Sequence, residues 1–321
     1  MTRILVKKFA YEARLLWLSC AAMLYLFCSA RVWLVGRLEM SRFRAVFEQL
    51  REFEKFSPVP FDQLFTYTGR IAMTFDEPIV IICLVVWAIS RGSDSVSGEI
   101  GRGTMEMLLA QPVSRLRVLL SQASVTVIGA ALLCMVVWLG IYTGVMNASA
   151  KEEVPPTLLN VPGLFSIPNP VGETEIVYTP MKTKTEMKHF VPGAVNLFAL
   201  TFFLAGLSTL MSSWDRYRWR TIGIVVGIYV VQLTMKIVGM AGEDLAWLMN
   251  FSFFSAYEPQ AFTSISLSTP ADTWSLWRVD TAGEFTGLGP LGYNLILIGQ
   301  GIVFYATAAV VFCRRDLPAP L

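Results

Sequence analysis

Long apolar stretches separated by charged segments dominate the pattern of the chain. Six of them hold about 20 mainly apolar residues each, the number that a helix needs to cross ~30 Å of hydrocarbon at ~1.5 Å per residue. They lie at residues 15–35, 71–90, 118–145, 191–213, 221–240 and 291–313. The pattern predicts an all-α polytopic membrane protein with six transmembrane helices, built as a single membrane domain over residues 1–321.

Three connections are predicted on the outer side of the membrane, at residues 36–70, 146–190 and 241–290. The first has apolar residues at helical spacing from Phe43 to Phe53, which indicates an amphipathic surface helix. The second is rich in proline, which forbids a long helix, and its segment Glu175–Thr179 favours a short strand. The third contains Leu245–Tyr257, which is apolar but too short to cross, and this indicates a re-entrant or interfacial helix.

Residues 91–117 form a cytoplasmic segment that is too polar to cross a membrane and is patterned like a helix. Thr104 suits the N-cap of an amphipathic helix that we expect to run to Leu119. Its apolar residues recur mostly three to four apart, which places them on one helical face: Met105, Leu108, Leu109, Val113, Leu116 and Leu119. Such a helix binds lipid headgroups or docks into a groove on a soluble partner.

Composition and charge placement support the membrane assignment and orient it. The chain is 54% hydrophobic and 16% charged, whereas a soluble domain has roughly 25% charged residues. With both termini cytoplasmic, Lys and Arg are about twice as dense in the short inner segments as in the outer ones, as the positive-inside rule requires. The basic cluster between Arg37 and Lys55 is the main evidence against this orientation.

The chain offers little chemistry of its own. It has no Gly-x-x-x-x-Gly-Lys-Ser/Thr sequence, and the glycine-rich run Gly98–Thr104 lacks the lysine that would hold a phosphate. Its single histidine, His189, has no neighbouring cluster of metal ligands. The aromatic and basic run Trp214–Arg220 fits an interfacial anchor belt better than a nucleic-acid site. We therefore predict no catalytic, cofactor-binding or metal-binding residues and no nucleic-acid partner.

Three charges lie inside predicted spans near their outer ends: Asp76, Glu77 and Lys236. Exposure to water or snorkelling to the interface is the plain explanation. A sharper hypothesis is that Lys236 pairs with one of the two carboxylates and closes an outer gate.

Three motifs together resemble those of ABC-2 type transporter permeases. The first comprises Ser97-Gly-Glu99, Gly103-Thr-Met-Glu106, Leu108-Leu109 and Gln111-Pro-Val-Ser-Arg115, after the second span. The second is Tyr257-Glu-Pro-Gln260, after the fifth span, and the third is Arg314-Arg-Asp-Leu317, at the end of the last. Their order and spacing match over about residues 1–317. Ile100 and Gly101 depart from the pattern, because relatives usually carry charges there.

The resemblance implies a permease subunit of an ATP-driven transporter, with export as the expected direction. Its partners would be a separate ABC ATP-binding subunit carrying ATP and Mg²⁺, a second identical or related permease subunit, and membrane lipid. Its location would be the plasma membrane of a bacterium. The cytoplasmic segment would act as a coupling helix docked on the ATPase, through Ser97, Gly98, Glu99, Arg102, Gly103, Thr104, Glu106, Leu108, Leu109, Pro112 and Arg115.

Two other functions remain open from the sequence. A membrane-embedded transferase would need carboxylates, histidines or a metal set converging on one membrane face, and the chain shows none. A membrane anchor for a surface or motility assembly, built on the same fold but moving no solute, is hardly distinguishable from a transporter. No motif in the outer segments identifies a substrate.

Overall fold

The computed structural model describes residues 2–37, 65–154, 157–161, 165–168, 175–279 and 285–315. Within these residues, six helical segments are long and apolar enough to cross a membrane: Thr2–Arg37, Tyr67–Gly101, Arg115–Asn147, Met187–Trp214, Arg218–Ala241 and Pro290–Arg314. Each contains one of the six predicted spans. The all-α polytopic fold is therefore confirmed.

In the described part of the first half of the chain there are six α-helices. They are α1 (Thr2–Arg37), α2 (Tyr67–Ala72), α3 (Pro78–Ser93), α4 (Glu99–Gly101), α5 (Thr104–Leu109) and α6 (Arg115–Asn147). A 3₁₀ turn, Met73–Asp76, joins α2 to α3, and a π-helical turn, Asp94–Gly98, joins α3 to α4. The second predicted span is thus one helical segment with an irregular turn near each end.

The described residues of the second half form four more α-helices: α7 (Val191–Trp214), α8 (Arg218–Ala241), α9 (Pro259–Ser268) and α10 (Pro290–Arg314). The 3₁₀ turns Met181–Thr183 and Met187–Phe190 precede α7. Between α8 and α9, the chain forms the 3₁₀ segments Glu243–Phe251 and Phe253–Ala256, and Pro270–Trp274 follows α9.

Among the residues that the structure describes on the outer connections, six short strands form three antiparallel pairs. β1 (Ser149–Val154) pairs with β4 (Glu175–Pro180), β2 (Thr157–Val161) with β3 (Phe165–Pro168), and β5 (Trp277–Val279) with β6 (Phe285–Leu288). The strand predicted at 175–179 is therefore confirmed. The amphipathic helix predicted from Phe43 to Phe53 lies outside the described residues.

Helix α7 forms the centre of the bundle. It packs against α3, α6, α8, α9 and α10, and 72% of its membrane window is buried inside the protein, against 11% for α8. Small residues permit this close packing. A Cβ added at Gly92 of α3 would lie 2.5 Å from the Cβ of Ser208, so the two helices touch almost backbone to backbone.

Helices α1 and α6 run parallel and in close contact. A Cβ at Gly140 would lie 2.8 Å from the Cβ of Cys28, and one at Gly144 would lie 2.6 Å from the Cβ of Val32. Both pairs are offset by the same number of residues along the two helices, which establishes the parallel direction. Since α1 and α6 cross the membrane in the same direction, α3, which lies between them in the sequence, crosses in the opposite direction, as a six-span topology requires.

Two predictions of local structure were wrong. Asp76 and Glu77 do not lie within a regular helix: Glu77 is extended, with ψ 133°, because a residue before proline is pushed out of the α region by the ring of Pro78. The amphipathic helix predicted from Thr104 to Leu119 is broken. It ends at Leu109, and Arg115 begins α6 after a non-helical turn through Pro112, since proline cannot continue the hydrogen-bond ladder.

Candidate functional site

The π-helical turn at the end of α3 is held by one serine of α7. Ser212 Oγ accepts hydrogen bonds from the backbone N–H groups of Val96 (3.1 Å) and Ser97 (2.9 Å), and donates to the carbonyl of Ser93 (2.9 Å). A hydroxyl has the one donor and two acceptor sites that this arrangement uses. π-turns inside helices are rare and occur often at functional sites, and this one begins the segment predicted to couple.

Asp94, within this turn, is the centre of a buried ion-pair network. Its carboxylate is contacted by Nη1 of Arg91 at 3.3 Å, of Arg102 at 2.6 Å and of Arg218 at 3.5 Å. The three cations belong to α3, to the turn after α4 and to α8. Asp94 was not among the predicted site residues, because a single acidic residue among arginines forms no periodic pattern in the sequence.

Glu99 is a second buried carboxylate in the same network. Its side chain is fully buried and contacts Lys8 Nζ of α1 and Arg102 Nη2, both at 3.1 Å. Thr104 donates its hydroxyl to the Glu99 carboxylate and to the Glu99 carbonyl. Since a buried carboxylate without partners is strongly destabilising, Glu99 fixes α1, α4 and α5 relative to one another.

The start of α5 differs from the prediction. Gly103, not Thr104, is the N-cap residue, and it adopts the left-handed conformation with φ +69°. Glycine is favoured there because it has no Cβ to clash in that conformation. The left-handed residue changes the direction of the chain between α4 and α5, and the apolar side of α5 meets the protein.

The apolar side of α5 is part of the protein core. Met105 packs with Val96, Leu119, Ala308 and Phe312. Leu108 packs with Leu5, Phe9 and Val118. Met105 and Leu108 of the predicted apolar face are therefore covered by α1, α6 and α10, whereas Leu109 is half-buried and Leu116 is exposed.

The opposite side of α5 and the turn that follows it are open to solvent. The exposed residues are Glu106, Met107, Ala110, Gln111 and Pro112, which we call the coupling face. Met107 is 72% exposed, the largest apolar contribution to this surface. Met107 was not among the predicted coupling residues, because it breaks the three-to-four spacing of its apolar neighbours.

The predicted coupling residues thus divide into those that are buried or half-buried and those that are exposed. Ser97, Gly98, Glu99 and Leu108 are buried, and Thr104, Leu109 and Arg115 are half-buried. Arg102, Gly103, Glu106 and Pro112 are exposed. Arg115 donates to the carbonyls of Phe312 (3.3 Å) and Arg315 (2.5 Å), and so holds the C-terminal end of α10 beside the coupling face.

The charges predicted as an outer gate have other partners. Lys236 forms its ion pair with Glu258, at 3.5 Å, and donates to the carbonyls of Phe254 (2.9 Å) and Tyr257 (3.2 Å). Glu77 pairs with Arg31 of α1 at 2.8 Å. Lys236 therefore does not form the predicted ion pair with Asp76 or Glu77, because the segment after α8 turns inward and places Glu258 closer to Lys236.

That segment, Glu243–Tyr257, is re-entrant. Ser252 Oγ donates to the carbonyl of Gln232 at 2.8 Å, and the Gln232 side chain accepts from the N–H of Phe253 at 3.2 Å. Gln232 lies about 14 Å below the end of α8 at ~1.5 Å per residue, so the chain descends into the bundle before α9 carries it out. The segment is 3₁₀ rather than α-helical.

Polar side chains inside the bundle satisfy this non-helical backbone. Asn196 of α7 donates to the carbonyl of Ala256 (2.9 Å) and to Asn294 Oδ1 of α10 (2.8 Å), and accepts from the N–H of Glu258 (3.0 Å). Irregular backbone at membrane depth persists only where protein supplies such partners. Polar residues inside three spans were the sequence signal that would have indicated it.

A cavity of about 660 Å³ opens beside the re-entrant segment, between α7, α8 and α10. Aromatic side chains and amides line it, among them Phe203, Gln232, Phe253, Gln300 and Phe304. Gln300 is exposed halfway along α10. An exposed amide at that depth indicates a hydrated or occupied cavity, because hydrocarbon leaves its donors and acceptor unsatisfied.

Together, the apolar helices, the ion-paired turn with its exposed coupling face and the re-entrant segment define a multi-pass membrane transport subunit. The family model for the ABC-2 family transporter protein matches residues 10–317. The chain belongs to this family, whose members typically work with an ATP-binding subunit. A comparison with curated proteins found no match.

Proposed function

We propose that this chain is the permease subunit of an ATP-driven exporter and that a separate ATPase subunit docks on its coupling face. The observation that carries the proposal is the contrast within α5: Met107 is 72% exposed, whereas its neighbour Leu108 is 8% exposed. One side of this short helix is built into the bundle and the other presents an apolar side chain among polar ones. A central apolar contact with a polar rim is the usual composition of a specific interface.

The contacts of α5 supply a route for mechanical coupling. Met105 and Leu108 transmit a displacement of the coupling face to α1, α6 and α10. The network around Asp94 and Glu99 connects the same region to α3 and α8. When ATP draws two ATPase subunits together, these connections move the helices as rigid bodies. ATP and Mg²⁺ bind on the ATPase and not on this chain.

The termini support a cytoplasmic orientation of the coupling face. Leu5, near the start of α1, contacts Leu108, and Arg315, at the end of α10, is bonded to Arg115. Both described chain ends therefore lie on the side where the ATPase docks. In this proposal both termini are cytoplasmic and the membrane is the plasma membrane of a bacterium.

A second permease subunit, identical or related, would pack on α8. This helix has the least buried membrane window of the six spans. On its open side lie Gly223 and Gly227, four residues apart, where an added Cβ would meet no atom within 4 Å. Glycines at this spacing allow close helix contact within a membrane.

The direction of transport follows from the family resemblance, and the cargo path would pass the cavity beside the re-entrant segment. An amphipathic cargo suits a lining of aromatic rings and uncharged amides such as Gln232 and Gln300. Alternating access would then consist of movement of the re-entrant segment relative to α7 and α10.

Affinity purification from native membranes tests the proposal. Wild-type protein is expected to copurify with an ATP-binding subunit and with vanadate-sensitive ATP hydrolysis. Met107→Asp should lose both while remaining folded, because the aspartate would have to be desolvated at the interface. Met146→Asp, an exposed methionine at the other end of α6, is the control. If folded wild-type protein brings no ATPase, a non-transporting membrane anchor becomes the better account.

A further inference from the structure

An apolar groove of about 390 Å³ lies between α1, α3 and α6, at the end of the bundle that carries the coupling face. Its volume is in the range of small-molecule sites, ~300–1,000 Å³. Along α1 it is lined by residues from Val6 to Leu18, including Ala10, and along α6 by residues from Val125 to Leu132. Trp87 of α3 completes it.

Two tryptophans give the groove fixed walls. Trp17 Nε1 donates to the carbonyl of Gly129 at 3.1 Å, and Trp87 Nε1 donates to the carbonyl of Thr126 at 3.0 Å. A Cβ at Gly129 would lie 2.2 Å from the Trp87 ring, so this glycine lets the indole lie directly on α6. Since α6 satisfies both indole N–H groups, Trp17 offers only apolar surface to a ligand, and Trp87, 1% exposed, forms the packed floor beneath it.

Arg14 is the one charged residue among those that line the groove. Its guanidinium lies 3.7 Å from the centre of the Tyr11 ring and donates to the Tyr11 hydroxyl at 2.9 Å. No described carboxylate contacts it, and Glu12 pairs instead with Lys8 at 3.4 Å. The rim of the apolar groove therefore carries a positive charge, stacked on Tyr11, that no described carboxylate neutralises.

The depth of Arg14 matches a membrane boundary. Arg14 lies about 35 Å from Arg37 along α1 at ~1.5 Å per residue, while the hydrocarbon layer is ~30 Å thick. The guanidinium is thus at headgroup level when Arg37 is at the opposite interface. From Arg14 the groove continues into the hydrocarbon along Trp17 and Leu132.

We propose that this groove binds one anionic phospholipid, with its phosphate on Arg14 and an acyl chain along Trp17 and Leu132. The planar guanidinium matches phosphate geometry, and the apolar walls match a hydrocarbon chain. A helix of a second copy fits less well, because an apolar helix would cover Arg14 without neutralising it. A net negative headgroup is preferred because a choline ammonium would compete with Arg14 for the phosphate. The proposal depends on the membrane fold and not on the transport function.

Native mass spectrometry of the delipidated protein tests this site. The probes are phosphatidylglycerol and phosphatidylcholine with identical acyl chains, titrated separately in the same detergent. We expect one phosphatidylglycerol per chain to bind about tenfold more tightly than phosphatidylcholine, as a charge-assisted phosphate contact implies. Arg14→Gln should abolish the preference, whereas Arg3→Gln, at the start of the same helix, should retain it.

A second variant tests the acyl-chain part of the groove. Leu132→Trp fills it and should weaken both lipids about tenfold, while Leu139→Trp, at a similarly exposed leucine two turns further along α6, should weaken neither. Equal binding of the two lipids by the wild type, or an undiminished preference in Arg14→Gln, would overturn the proposal. So would unchanged binding to Leu132→Trp, or disulfide cross-linking of Leu132→Cys between two protomers.

Discussion

Truncation of Leu108 to alanine measures how firmly α5 is attached to the bundle. Leu108 is 8% exposed and packs with Leu5, Phe9 and Val118. Leucine-to-alanine changes in a core cost ~2–5 kcal/mol, and the lower part of the range applies where the site can collapse. Because α5 is short and lies at the end of the bundle, we expect ~2–3 kcal/mol. At ~2 °C per kcal/mol for a chain of this size, the apparent Tm should fall by ~4–6 °C.

Met107→Ala is the matched control in the same turn of helix. Its side chain is 72% exposed, and surface substitutions usually change stability by less than ~0.5 kcal/mol. Thermal unfolding in detergent, monitored by fluorescence-detected size-exclusion chromatography, should show an unchanged Tm. Met107→Ala should nevertheless weaken the binding of the ATPase, so that its effect on binding appears without a loss of stability. If Met107→Ala destabilises the protein as much as Leu108→Ala, the assigned orientation of α5 is wrong.

Three further outcomes follow from the contacts. Glu99→Gln removes a carboxylate that Lys8 and Arg102 share, although Lys8 keeps Glu12 and Arg102 keeps Asp94; because these cations are also 33% and 42% exposed, we expect a loss of only ~1–2 kcal/mol in thermal stability, and none for the exposed Glu106→Gln. Lys236→Met removes the cation that holds the re-entrant segment, so amide exchange of residues 245–257 should rise about tenfold; unchanged exchange would show that Lys236 does not hold it. Gly227→Leu should weaken self-association about tenfold by separating the helices, whereas Gly299→Leu, on α10, should not; equal effects would argue against α8 as the interface.

The sequence predicted the features that depend on composition and local period. Membrane spans follow from length and hydropathy, since ~20 apolar residues have few alternatives to crossing. The strand at Glu175–Thr179 and the re-entrant nature of Leu245–Tyr257 were also accessible, because proline density and segment length exclude a spanning helix.

The remaining features depend on contacts between residues that are distant from one another in the sequence. Periodicity showed that α5 has an apolar face but could not show that the bundle covers Met105 and Leu108. The partner of Lys236 is Glu258, which becomes its neighbour only when the chain turns inward. Asp94 forms ion pairs with arginines from separate segments of the chain, and no local spacing in the sequence predicts these contacts.

Cysteine cross-linking between α5 and the ATPase subunit tests the central claim most directly. Met107→Cys and Leu108→Cys would be compared in a Cys313→Ser background, since Cys313 is an exposed thiol of the native chain. The account predicts that membranes containing both subunits yield a cross-link to the ATPase from Met107→Cys and none from Leu108→Cys. A cross-link from Leu108→Cys alone, or none from either variant in an intact complex, would contradict docking on the coupling face.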